Sequence, residues 1–205
     1  MHKMVRTPLR AMFSSPHFLF HAGQPGPLDD HALASRLSYF LWKTLPDAEL
    51  TRLANEKKLT QPKVLAVQVD RMLNDPRSNR FINDFLDGWL HLSDIDATTP
   101  DPTLYPEYDN ELRQAMLAET RLFLRELLAK NLPARNFIKS DFTFVNRRLA
   151  RHYGMANISG EKMRRVALPP DSVRGGLMTQ ASILKITANG TLTSPVKRGH
   201  WVLNS

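Results

Sequence analysis

Apolar side chains recur at every third or fourth position along most of the chain, a spacing that predicts a string of helices. From Val5 to Ser15 the stripe is Leu9, Met12 and Phe13, and Ser15-Pro16 is expected to stop this helix. His17-Phe18-Leu19-Phe20 is a short apolar run, and Gly23-Gln24-Pro25-Gly26-Pro27 reads as a turn. Leu28-Asp29-Asp30 opens the next helix, since aspartate suits the N-cap and the first turn. Its face is Leu33, Leu37, Phe40 and Leu41. Leu45-Pro46-Asp47 breaks the chain before Leu50, Leu53 and Ala54. Thr60-Gln61-Pro62 starts another helix, striped by Leu65, Val69, Met72 and Leu73 and ended by Asn74-Asp75-Pro76.

Residues 78–92 carry the widest stripe, Phe81, Ile82, Phe85, Leu86, Trp89 and Leu90. After a loop at 99–106 that holds three prolines, the longest helix is predicted from Asp109 to Lys130 through Leu112, Met116, Phe123, Leu127 and Leu128. Asp141 is read as the cap of a further helix with Phe144, Val145 and Leu149 inward and Gly154 as its stop. Beyond Gly154 the texture changes. Arg164–Leu168 is predicted extended, Leu177–Leu184 as one helix after Gly175-Gly176, and Ser194-Pro195 as the start of a last helix bearing Trp201, Val202 and Leu203. The expected fold is all-α: a multi-helix orthogonal or bundle-like domain over 1–155, then a short basic C-terminal domain over 156–205, mostly helical or irregular and expected to be truncated. Leu37, Phe40, Phe85, Trp89, Leu112, Met116 and Phe123 are the predicted core.

Composition narrows the chemistry. The 205 residues are 42% hydrophobic and 23% charged, an ordinary globular balance. Without cysteine the chain forms no disulfide, no thiolate zinc site and no covalent c-type haem link. No cofactor is expected in this chain. No apolar run nears the roughly 18 residues of a membrane span, and no export signal follows Met1. The net charge of +8 is uneven: residues 145–205 hold ten basic and two acidic side chains, while the rest is close to neutral. Such a segment attracts an anionic polymer or an acidic protein surface.

No nucleophile elbow, zincin helix, Walker loop or dinucleotide fingerprint occurs. The carboxylate pairs Asp29/Asp30, Asp84/Asp87 and Asp94/Asp96 read as capping and surface residues, and His17/His21 as packed or surface imidazoles lacking a third metal ligand. The sharpest local physics lies at Ser194. A helix N-terminus offers free N–H groups and partial positive charge, and Lys197 and Arg198 follow within a turn. Ser194, Lys197 and Arg198, with Arg174, Arg164 and Arg165 as further contributors, form the candidate anion or partner site. No catalytic or metal residue is assigned.

Several runs resemble one family in order. They are Ser15-Pro-His-Phe-Leu-Phe20, Ala34-Ser-Arg-Leu-Ser-Tyr-Phe-Leu-Trp42, Asp141-Phe-Thr-Phe-Val-Asn-Arg-Arg-Leu-Ala-Arg-His-Tyr-Gly154, Gly175-Gly-Leu-Met-Thr-Gln180 and Thr193-Ser-Pro-Val-Lys-Arg-Gly199. They are similar to the paired domains of unknown function in large cytochrome-like proteins of planctomycetes. The resemblance implies an extracytoplasmic setting, periplasmic or secreted, and neighbouring domains of the same polypeptide as partners, with a c-type haem only in such a neighbouring domain. The expected role is a scaffold or interaction module of such a protein. Two other readings stand beside it: a hydrolase or oxidoreductase domain with a cleft between the helical body and the basic lobe, and nonspecific binding of an anionic polymer or nucleic acid.

Overall fold

A computed structural model describes residues 2–20 and 26–205, which form two compact units, one ending at Ser78 and one beginning at Asn79. His21 and most of the turn at 23–27 lie outside the described residues, so the reading of His17 with His21 stays open.

The first unit holds α1 (His2–Phe13), α2 (Pro16–Leu19), α3 (Asp30–Trp42), α4 (Ala48–Asn55) and α5 (Pro62–Asn74). Its start signals act as the sequence predicts. Asp29 accepts from the Ala32 N–H and Asp47 from the Leu50 N–H, and Pro62 occupies the first turn of α5. The core gathers around Trp42, with Leu41, Leu50, Leu53, Leu59 and Met72 buried. The Trp42 indole donates to the Met72 carbonyl at 3.0 Å. That anchor sets the rotation of α3 and corrects two expected core positions: Leu37 is half-buried and Phe40 is 63% exposed. Phe40 stands two residues before Trp42, roughly 200° around the helix. In α1 the helix forms as expected, yet Leu9, Met12 and Phe13 are exposed.

The second unit holds α6 (Asn79–Leu90), α7 (Asn110–Ala129), β1 (Phe142–Val145), α8 (Arg147–His152), β2 (Arg164–Ala167), α9 (Ala181–Ile186) and α10 (Pro195–Asn204). The predicted long helix is α7, capped by Asp109 through the Leu112 N–H. Leu112, Met116 and Phe123 are buried as expected. On α6 the stripe is too wide to bury whole. Ile82, Leu86 and Leu90 take the core seam, while Phe85 is 42% exposed and Trp89 half-buried. Phe81, Phe85 and Trp89 instead run along one flank, their ring centroids 5.7 and 5.4 Å apart, with Phe137 edge-on to Trp89.

Two helix predictions need correction. Asp141 caps nothing: Phe142-Thr-Phe-Val145 is β1, antiparallel to β2 with Phe142 opposite Ala167 and Val145 opposite Arg164. The helix that follows starts five residues later, where Asn146 accepts from the Leu149 N–H. The β-branched and aromatic run favours the strand once a partner covers it. The extended piece predicted at 164–168 is that partner. Likewise Leu177–Leu184 is not one helix, because a tight turn at Leu177–Thr179 precedes α9. The mainly helical fold thus carries one small sheet of two strands among the described residues. At the end of α10, Trp201 is half-buried with its indole donating to the Leu90 carbonyl at 3.3 Å, and Val202 and Leu203 are exposed.

Candidate functional site

The second unit encloses a cleft of about 440 Å³. Its walls come from far apart in sequence. The three-proline loop supplies Tyr105, Glu107 and Tyr108, and α7 supplies Leu112 and Met116. His152 and Tyr153 arrive from the end of α8, Leu184 and Lys185 from α9, and Leu192 from the link before α10. Arg174 and Arg198 bring charge to the lining.

Two glycines make this arrangement possible. Gly176 has φ +81°, and a Cβ there would strike the carbonyl of Ile138, so the 174–176 turn lies directly on the 138–140 backbone. Gly190 has φ +93° and leaves no room for a Cβ beside Thr99; its carbonyl accepts from the Asp101 N–H at 2.9 Å. Tyr105 then donates to the Thr191 carbonyl at 2.9 Å, closing the loop over the link. The glycine pair at 175–176 reads from sequence as a tight turn. The close approach of two backbones is what requires glycine there.

The cations of the cleft differ in what they have left to offer. Lys185 is buried, and its ammonium donates to the Ile95 carbonyl at 3.1 Å and to both the carbonyl and the hydroxyl of Thr98. All three of its hydrogens are used in holding the 95–98 segment. Burial pushes its pKa down, against the charge of Asp96. Arg174 donates to the Thr179 carbonyl at 2.9 Å and lies 3.6 Å over the Tyr153 ring. Arg198 donates to the hydroxyls of Thr187 at 3.3 Å and Thr193 at 3.0 Å. A guanidinium has five N–H donors, so each arginine keeps several for a ligand.

The other candidate residues are spent or lie elsewhere. Ser194 caps α10 through the Lys197 N–H at 3.2 Å, and the Lys197 ammonium donates to the Ala188 carbonyl at 3.1 Å. Arg165 sits on β2 over the Phe142 ring, 3.3 Å from Glu126. Arg164 is exposed opposite Val145. Neither lines the cleft. The carboxylate pairs act as the structural reading expects: Asp29 caps α3, Asp30 accepts from Thr60, Asp87 faces Arg121 and Asp96 pairs with Arg113. No group of three or more potential metal ligands occurs among the described residues.

Behind the cleft stands a group that sequence reasoning passed over. Glu119 on α7 is 1% exposed. Thr143 of β1 donates to its Oε1 and Tyr153 donates to its Oε2, and the Tyr153 oxygen accepts from the Ala181 N–H at 2.8 Å. Burial pushes Glu119 up to about 7, against the pull of these hydrogen bonds and of Arg174. Burial, then the Glu119 charge and hydrogen bond, holds the Tyr153 phenol well above its usual range, so its hydrogen stays on. His152, also in the cleft, is pushed down by burial; Glu107 opposes this, and Arg174 and Arg148 reinforce it. A signal for Glu119 did exist. It falls between Met116 and Phe123, three residues after one and four before the other, on the buried stripe.

The site therefore joins an apolar and aromatic wall, two arginines with free donors, an imidazole and a tyrosine wired to a buried acid. Such a set binds and orients an anion and can move a proton at its edge. No helix of the described residues is long and apolar enough to cross a membrane. No curated protein and no solved structure matches the chain. Residues 28–155, more than half of its length, match one family model, and the chain belongs to the family described as PSD4, protein of unknown function (DUF1592).

Proposed function

We propose that this chain is an interaction module of a larger extracytoplasmic, cytochrome-associated protein of the planctomycete type, and that its cleft receives a ligand with one anionic head and an apolar body. The observation that carries the binding reading is the pairing of Arg174 and Arg198, each with uncommitted donors, on one cleft walled by Tyr105, Leu112, Met116 and Leu184. Apolar walls supply contact area and convergent charged donors fix orientation. The setting rests on the resemblance in motif order. An upstream reading frame with a Cys-x-x-Cys-His motif and an export signal supports it, and a frame with neither overturns it.

Titration with benzoate and octanoate, at low and at physiological salt, tests the binding reading. Arg174→Gln and Arg198→Gln should each weaken binding strongly, and Lys57→Gln with Lys58→Gln should not. Equal loss from both sets means attraction by net charge alone, the anionic-polymer reading. Lys197→Gln should have little effect, because Lys197 does not line the cleft.

An enzyme domain is the second reading, favoured by one observation: Tyr153 joins the cleft to a buried carboxyl group poised near neutral pH. Turnover of an ester or glycoside that stops in Tyr153→Phe would favour it over simple binding.

A further inference from the structure

The Tyr153 hydroxyl has one hydrogen and room for two incoming donors. The Ala181 N–H already fills one of those places at 2.8 Å. With Glu119 ionised, the phenolic hydrogen points to its Oε2, away from any ligand. A proton on Oε1 faces Thr143 and leaves Tyr153 as it was, whereas a proton on Oε2 faces Tyr153; a bound anion favours Oε2, because only there does the phenolic hydrogen come free. The carboxyl hydrogen then points at the Tyr153 oxygen, which now accepts from both Glu119 and Ala181. Its own hydrogen must leave Glu119 and find another acceptor. Tyr153 and Ala181 both line the cleft.

We infer that the cleft is a proton-coupled anion site, in which Tyr153 turns its hydroxyl hydrogen from Glu119 to the bound anion when Glu119 takes up one proton from solvent. No covalent bond to carbon changes; one proton arrives at Glu119 and one hydroxyl rotates. The inference rests on the reading of the cleft as an anion site and adds its dependence on pH. The charged and titratable groups that face Glu119 are Tyr153 and Arg174, alongside the Thr143 hydroxyl and the Ala181 amide. A guanidinium takes up no further proton, so the proton goes to the carboxylate. Glu119 stands near 7, within reach of ordinary pH changes. His152 and Glu107 also face the cleft, and His152 titrates below its usual range. Its effect is separable.

Calorimetry of the full chain with benzoate, in two buffers of different ionisation enthalpy, tests the inference. Between about pH 7 and 8, binding should take up a net fraction of a proton, and affinity should fall with rising pH by as much as roughly tenfold per unit. Tyr153→Phe and Glu119→Gln should bind benzoate without that uptake, whereas His152→Gln should keep it. Should either core variant fail to fold, the proton count of His152→Gln decides, since it leaves Glu119 as the titrating group. Benzoate binding without proton uptake overturns the coupling and leaves the anion site standing. No benzoate binding at any pH overturns both. In the ligand-free protein, the carboxyl carbon of Glu119 and the Cζ of Tyr153 should titrate together near neutrality; a Tyr153 resonance that ignores the Glu119 step also overturns the coupling.

Discussion

Arg77 places its guanidinium 3.5 Å above the ring of Trp42, whose indole N–H reaches the Met72 carbonyl. Arg77 also pairs with Asp75 at 2.8 Å, and Arg71 with Asp47, the cap of α4. The largest buried side chain of the first unit is thus clamped between its core and a layer of ion pairs. Trp42→Ala should cost about 3–5 kcal/mol. Trp42→Phe should cost about 1–3 kcal/mol, from the lost indole hydrogen bond and the space the smaller ring leaves, although the Met72 carbonyl still accepts from the Asp75 N–H at 3.3 Å. Arg77→Gln should cost about 0.5–1 kcal/mol. Urea unfolding followed by circular dichroism measures all three, and a Trp42→Phe variant as stable as wild type would refute the clamp.

The same layer should weaken in acid. Asp47 is held below the usual carboxylate range although its burial pushes the other way, because hydrogen bonds from Arg71 and the Leu50 N–H and the charges of Arg71 and Arg77 prevail. Asp75 is lowered to about 2 by its hydrogen bonds from Arg77. Both carboxylates favour the folded state above their ordinary pKa, and that contribution is lost as pH falls through the folded values. Urea midpoints should therefore drop toward about pH 2, and Asp75→Asn should flatten part of the slope.

Glu119 should act in the opposite sense. Its folded value of about 7 lies above the ordinary 4.5, so the folded state holds the proton more tightly than the unfolded chain. The stabilisation is complete below the ordinary value and is lost as pH rises through the folded one, a difference on the order of 3 kcal/mol. Glu119→Gln should remove this alkaline decline. A wild-type protein equally stable at both ends of the range would count against a buried acid at this place.

Gly176→Ala tests the backbone approach that positions Arg174. The added Cβ meets the Ile138 carbonyl, and the positive φ disfavours any L side chain. The cost should be at least about 1–3 kcal/mol. Anion binding should weaken along with it, because Arg174 is displaced. Gly199→Ala, whose Cβ meets nothing within 4 Å, serves as the control.

The candidate site was half legible before the fold. Ser194 caps α10 as its sequence predicts, and Arg174 and Arg198 do share one cleft. Lys197, Arg164 and Arg165 are equally basic in sequence, and only their neighbours show them to be engaged or remote. Glu119 was visible as an acid on an apolar stripe, but its partners Thr143 and Tyr153 follow 24 and 34 positions later.

Local chemistry determined what the sequence could show by itself. Helix periods, proline stops and the caps at Asp29, Asp47, Asp109 and Ser194 depend on groups within about four residues of one another. The excess of charge after residue 145 and the ordered motifs are likewise properties of the chain. Tertiary structure decided the rest. It chose which flank of α6 to bury, turned Phe142–Val145 into a strand by supplying Arg164–Ala167 as its partner, and brought Tyr105, Tyr153, Arg174 and Arg198 around one cleft. The physical reason is that pairing, burial and desolvation are set by residues distant in sequence. The pKa of Glu119 is therefore a property of the packed core and not of the glutamate.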